Sequence, residues 1–284
     1  MTAEAKPAIQ VAVVEDHEIT RDGLVARLHL AGYAVVAQAD AVEAIGEAAR
    51  TLPRPPQVVI CDLNLRLPGR TPGRSGAEAI RYLVDLGCAV LATSGVATPD
   101  EVLDAVVAGA HGYLEKTASS QAFVRAVSAL AAGSYYVTPA LAESLLKDAE
   151  LRPLQQDELT TQARTALRYF ARGNTADEVA AKLGLVPGRL TALLDRVWDA
   201  ARRRRRRYAL APREREVVAL VAQGRSHQEI AAQLGISQPW VADLLAHIRD
   251  KYLATHPDAS PTLSPLAAAH LSAADLGIGV RHAT

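Results

Sequence analysis

Val58-Val59-Ile60-Cys61-Asp62, an apolar run closed by a single carboxylate, decides how the first half of this 284-residue chain folds. The run is too short for a buried helix, and its β-branched residues suit a strand covered on both faces. Comparable runs lie at 9–14, 34–37, 89–92 and 112–114, and this one extends over 57–61. Amphipathic helical patterns fall between them, at 21–31, 41–51, 76–86, 99–108 and 119–132. Five strands alternating with five helices predict a doubly wound α/β domain on a five-stranded parallel sheet.

Ligands of such sheets bind beyond the carboxyl ends of the strands. Glu15 and Asp16 follow the run "VAVV", and Asp62 follows "VVIC", so three acids from two strands meet at that edge. Clustered carboxylates repel one another unless a hard cation sits among them, and an all-oxygen set suits Mg²⁺. Ser94 ends the fourth strand and Lys116 follows the fifth, which adds a hydroxyl and a positive charge. A divalent ion, a nucleophilic carboxylate, a hydroxyl and a lysine form a kit for phosphoryl transfer to Asp62. His17, beside the acids, reads as a surface or helix-capping residue.

The segments "VVEDHEITRDGL", "VVICDLNL", "ATSG" and "AGAHGYLEK" occur in the order and approximate spacing of a known family. They resemble the flavodoxin-like receiver domain of two-component response regulators, over roughly the first 130 residues. The resemblance implies that a sensor histidine kinase phosphorylates Asp62 and that Glu15, Asp16, Asp62 and the main-chain carbonyl of Asn64 hold Mg²⁺. It further implies that Ser94 and Lys116 grip the phosphoryl oxygens and that Tyr113 changes rotamer with the state of Ser94. One departure is the stretch "LNLRLPGRTPGRSG" after Asp62, longer than the family's usual loop and rich in Pro, Gly and Arg. It is expected to be a surface loop beside the site.

Composition bounds the remaining readings. Lys+Arg and Asp+Glu both number 31, so the chain is formally neutral. The neutrality hides an asymmetry: residues 1–150 carry 12 basic and 18 acidic side chains, the remainder 19 and 13. An acidic half joined to a basic half suits a regulator that touches nucleic acid. The two cysteines, Cys61 and Cys88, each sit in an apolar run, which predicts buried thiols in a reducing cytoplasm rather than a disulfide. The opening "MTAEAKPAIQ" lacks the order of a signal peptide, and no apolar run is long enough to span a bilayer, so no membrane partner is expected.

The second half contains one pattern written twice. Residues 159–200 align without gaps on 210–251 at an offset of 51, with "ARGNTADEVAAKLGL" over "AQGRSHQEIAAQLGI". The shared residues are core-builders and turn glycines, among them Gly173/Gly224, Ala180/Ala231, Gly184/Gly235 and Leu193/Leu244. Each copy has the punctuation of a helix-turn-helix, so an internal duplication of an all-α unit is expected. The second copy, "LAPREREVVALVAQGRSHQEIAAQLGISQPWV", resembles the LuxR-type output domain of the NarL/FixJ class, and the first looks like a diverged relative.

In that family the last helix of the unit enters the DNA major groove. The aligned contact positions are Ala242, Asp243 and Ala246 in the second copy and Thr191, Ala192 and Asp195 in the first. Neither set offers a cation. One explanation moves DNA contact to Arg189 and Arg196 of the first copy and Arg225, His227, Gln238, His247 and Arg249 of the second. The run Arg202, Arg203, Arg204, Arg205, Arg206 and Arg207 would add phosphate contacts that position without specifying sequence. The other explanation makes one or both copies protein-docking modules.

The predicted organisation is a receiver at 1–133, a linker helix at 134–157, the first helix-turn-helix at 158–201 and an arginine-rich connector at 202–208. The second helix-turn-helix occupies 209–254 and a tail 255–284. The expected function is a phosphorylation-controlled transcriptional regulator, not an enzyme, acting as a homodimer with promoter DNA and RNA polymerase as partners. The alternative is a phosphorylation-gated adaptor whose helix-turn-helix units no longer bind specific DNA.

Overall fold

The computed structural model describes residues 8–65, 74–151, 159–208, 210, 212–256 and 259–275. The first half alternates as expected: β1 (Gln10–Val14), α1 (Glu18–Leu30), β2 (Ala34–Ala39), α2 (Val42–Thr51), β3 (Val58–Asp62), α3 (Gly76–Asp85), β4 (Ala89–Ser94), α4 (Pro99–Ala108), β5 (Gly112–Glu115) and α5 (Ser120–Ala131). The sheet is parallel throughout, in the order β2-β1-β3-β4-β5. β1 and β3 are buried along most or all of their length, whereas β2 at the edge is only half-buried. This burial explains why the central strands read as unbroken apolar runs. The receiver core joins Val11, Val13, Val58, Ile60 and Leu91 of the sheet to Leu24 and Leu28 of α1 and Phe123, Val127 and Leu130 of α5.

Helix α1 begins at Glu18, three residues before the expected start at Arg21. Its N-cap, His17, makes no capping hydrogen bond, so the usual sequence signal for a helix start is missing there. Beyond α5 the chain returns to the sheet, where Tyr136 bridges Gly112 in parallel and its N–H donates to the His111 carbonyl at 3.0 Å. Gly112 is required at that crossing. A Cβ there would lie 2.8 Å from the Tyr136 carbonyl oxygen, a backbone atom with little freedom to move. Gly112→Ala is therefore expected to destabilise the chain by ~1–3 kcal/mol through overpacking, read as a lower urea midpoint with an unchanged slope.

The second half contains α6 (Pro139–Leu151), α7 (Thr161–Ala171), α8 (Ala176–Leu183), α9 (Pro187–Tyr208), α10 (Pro212–Ala222), α11 (His227–Leu234), α12 (Gln238–Thr255) and α13 (Pro265–Asp275). The duplication holds at the level of individual caps. Thr175 and Glu178 form a capping box at the start of α8, and Ser226 and Glu229 form the same box at the start of α11. Gly184 and Gly235 then end these helices in the left-handed conformation at the same φ of 64°. Every one of these pairs is separated by the sequence offset of 51, so both copies start and stop their second helix by identical chemistry.

The arginine-rich connector at 202–208 is helical. It forms the last turns of the 22-residue helix α9, because residues after Ala201 continue the helix without a glycine or proline to stop it. The tail contributes α13, whose Ala269 and Ala273 enter the core of the second copy beside Val217, Val221, Ile230, Leu245 and Ile248. The chain divides into two compact units, Met1–Asp148 with Gln156–Arg202, and Ala149–Gln155 with Arg203–Thr284. The first helix-turn-helix copy thus belongs with the receiver.

Candidate phosphoacceptor site and helix-turn-helix surfaces

The carboxyl ends of β1 and β3 deliver Glu15 and Asp62, which are 0% and 2% exposed. Two buried carboxylates this close require a cation, and Lys116, just past β5, supplies it. Its ammonium lies 2.6 Å from Glu15 Oε2 and 3.0 Å from Asp62 Oδ2. Burial on its own would lower the Lys116 pKa, but hydrogen bonds and charge attraction from Glu15 and Asp62 outweigh it and the net shift is upward. Asp62 Oδ1 is buried with no hydrogen-bond partner among the described residues. An orphaned carboxylate oxygen among acids is the donor that a hard dication satisfies, so the residues present fit Mg²⁺.

Asp16 directly follows Glu15, its side chain 7% exposed, and His17 Nδ1 lies 3.0 Å from its Oδ1 and 3.3 Å from Glu15 Oε1. The sequence reading put His17 at the surface; it is exposed, but its ring spans both acids. Arg21 adds a second tie from α1, donating from Nη1 to the Glu15 carbonyl oxygen at 2.8 Å. Ser94 is fully buried at the end of β4 and donates to the Val96 carbonyl oxygen at 2.9 Å. Asn64, expected to offer its main-chain carbonyl, is engaged through its side chain: Nδ2 donates to Ser94 Oγ at 3.0 Å. The side-chain bond had no signal in the sequence. Tyr113 is buried in β5, paired in register with Ala92 of β4. Burial raises its hydroxyl pKa, with further contributions from Glu115 and Glu101.

Of the long loop after Asp62, residues 66–73 lie outside the described residues. At its far end Arg74 pairs with Glu43 Oε1 at 2.8 Å and covers the Tyr82 ring at 4.5 Å. The two thiols are buried, and burial raises both pKa values, that of Cys88 to about 11. Neither is a reactive thiolate.

The helical half sorts the expected DNA-contact residues by exposure. In the second copy Arg225, His227, Gln238 and His247 are exposed, as are Ala242 and Asp243, while Ala246 is half-buried. Arg225 makes an exposed ion pair with Glu229 at 3.5 Å, and Arg249 pairs with Asp250 at 2.8 Å. In the first copy Arg189 and Arg196 are exposed. The arginine run is not a uniform cationic face. Arg202 pairs with Asp199 at 2.8 Å, Arg203 is exposed and Arg205 half-buried. Arg204 is 2% exposed, which removes it from the residues able to meet a phosphate. The side chains of Arg206 and Arg207 lie outside the described residues.

Thr191 and Asp195, aligned with groove-reading positions, turn to another purpose. Thr191 Oγ1 lies 3.2 Å from Ser134 Oγ, and Asp195 Oδ1 accepts from the Tyr135 hydroxyl at 2.8 Å. One turn further on, the Trp198 indole N–H donates to the Ala110 carbonyl oxygen at 2.8 Å. Ser134, Tyr135 and Ala110 all belong to the receiver side of this compact unit.

No described helix is long and apolar enough to cross a membrane. The family described as "Response regulator receiver domain" matches residues 11–128, and "Bacterial regulatory proteins, luxR family" matches 208–256. The transcriptional regulatory protein UhpA of Salmonella typhimurium is 35% identical over 181 residues, covering 63% of this chain and 84% of the relative. The DNA-binding transcriptional activator DevR/DosR of Mycobacterium tuberculosis is 31% identical over 189 residues, covering 62% and 81%. With the sheet, the acidic pocket and the capped second copy in agreement with these matches, the chain belongs to the response regulators that join a receiver domain to a LuxR-type DNA-binding domain.

Proposed function

We propose that Asp62 accepts a phosphoryl group from the phosphohistidine of a sensor kinase and that the resulting acyl phosphate controls promoter binding by the second helix-turn-helix copy. The reading rests above all on the buried Glu15–Lys116–Asp62 cluster, in which one oxygen of Asp62 has no hydrogen-bond partner among the described residues. An Asp62 carboxylate oxygen attacks phosphorus, the P–N bond breaks, and the histidine nitrogen keeps the electron pair and takes up a proton. Mg²⁺ would be held by Glu15, Asp16, Asp62 and the main-chain carbonyl of Asn64, where it supplies charge neutralisation for the phosphoryl oxygens. Lys116, already against Asp62, follows the new charge. Ser94 exchanges its bond to the Val96 carbonyl for a phosphoryl oxygen, and Tyr113 responds to the space vacated on β4. The protein acts as a homodimer in the cytoplasm, and RNA polymerase is its further partner on the promoter.

On the output side, the proposed contacts centre on α11 and α12. Arg225, His227, Gln238 and His247 meet phosphates and base edges, and Asp243 accepts from a cytosine amino group rather than facing a phosphate. The exposed Arg225–Glu229 pair contributes little to stability and yields readily to a phosphate. Arg225→Gln is expected to weaken binding to promoter and random duplexes alike. It should also make the slope of log affinity against log salt shallower by ~0.9, the value for one lost phosphate contact. Fluorescence titration at four or more salt concentrations, with and without a small phosphodonor, tests this. Absence of DNA binding at low salt in either state would remove the promoter-binding role.

A further inference from the structure

We propose that the first helix-turn-helix copy is a permanent docking extension of the receiver, its third helix committed to protein contact, so that it is never released to read DNA. The differences between the two copies carry the inference. At the offset of 51 the cap residues, turn glycines and core positions agree, so the first copy keeps its fold. Three of the differences fall on one face of the third helix. Ala242 becomes Thr191, Ala246 becomes Asp195 and Arg249 becomes Trp198, and each replacement touches the receiver side of its unit.

These contacts interlock. The Trp198 ring, 0% exposed, packs at 4.4 Å between centroids on Tyr135, which in turn stacks on His111 at 5.8 Å. His111 and Ala110 precede β5, and Ser134 and Tyr135 lead into the bridge that pairs Tyr136 with Gly112. The docking surface is therefore fixed to the sheet by backbone hydrogen bonds. Its partner helix offers a hydroxyl, a carboxylate and an indole at successive turns, each with a matching group. The same substitutions disarm the helix as a reader. An indole stands where the second copy keeps a cation, and a carboxylate stands where a groove-facing helix would meet phosphates. The part-buried Glu214–Lys251 pair of the second copy is also replaced, by Ala163 and Ala200.

This departs from a domain that a receiver holds and then frees, and it rests on the proposed phosphorylation only through the phosphodonor used to challenge it. The Ser134→Cys/Thr191→Cys double variant tests it in the full chain, since the two hydroxyl oxygens are already 3.2 Å apart and both native thiols are buried. Disulfide closure under mild oxidation, at a rate unchanged within twofold by Mg²⁺ and a small phosphodonor, is the expected result, with promoter-length DNA bound equally by the locked and reduced forms. No closure, closure slowed more than tenfold by the phosphodonor, or a tenfold loss of DNA affinity on locking would overturn the proposal. Loss of DNA binding in the unaltered chain would count against the promoter-binding role alone. A second reading comes from Trp240→Phe, which removes the only other tryptophan. Emission from Trp198 should stay blue-shifted and shielded from iodide with and without DNA; a red shift on phosphorylation or DNA binding would refute permanent docking.

Discussion

The Asp62→Asn protein takes up no phosphate from a radiolabelled small phosphodonor, while the unaltered chain is labelled to near one phosphate per molecule. The expected loss is complete because the amide keeps the shape of the side chain but removes the attacking charge. Glu15, the other buried carboxylate at the site, does not substitute, since its oxygens are engaged by Lys116 and the His17 backbone N–H. Folding should survive the change, because Lys116 keeps Glu15 as a partner. Far-UV circular dichroism and a melting temperature near that of the unaltered chain establish this. Labelling of the Asp62→Asn variant above a tenth of the wild-type level would show that Asp62 is not the acceptor.

Lys116→Met has the larger effect on stability. Among the described residues it removes the only ammonium seen between two carboxylates that are buried almost completely. Breaking a buried ion pair from one side costs ~3–5 kcal/mol, because the remaining charge keeps its desolvation cost and loses its partner. Lys116 is itself partly exposed and two acids can share the strain, so the expected loss is ~3 kcal/mol, measured by urea denaturation in EDTA. The double variant with Asp62→Asn should lose less than the sum of the two single changes, since deleting one acid relieves the repulsion created by deleting the lysine. Additive losses would mean that the two side chains do not interact. Millimolar Mg²⁺ should recover part of the Lys116→Met deficit and none of it once Asp16 is also neutralised.

The receiver was legible because its signals are local. Apolar strands ended by Asp62, Ser94 and the turn before Lys116 carry both the fold and the site in short stretches of sequence, and parallel topology does the rest. The side-chain bond from Asn64 to Ser94 and the reach of His17 across two acids were not legible, since each depends on how loops from different strands lie together. The duplication was also legible, because caps and glycines repeat at a fixed offset. The fate of its third helix was not. Thr191, Asp195 and Trp198 look ordinary on a helical wheel, and their partners lie at 110, 134 and 135, far off in the sequence. Within the arginine run the burial of Arg204 was not legible for a related reason: charge composition counts it like its neighbours, while burial separates it from them. Charged side chains are buried almost only when paired, and pairing is a tertiary fact.

A polypeptide that spells the same three-helix plan twice gives each segment a wrong companion during synthesis and refolding. The third helix of one copy, which follows a second helix with the same start and stop, could nest against the first two helices of the other, the misassembly to which tandem repeats are prone. The swap fails at Trp198 and Arg249: exchanging them half-exposes an indole and puts a guanidinium where Trp198 is fully buried. The divergence at Trp198 and Arg249 therefore also acts as an address label, sorting two look-alike sequences to their own places along one chain.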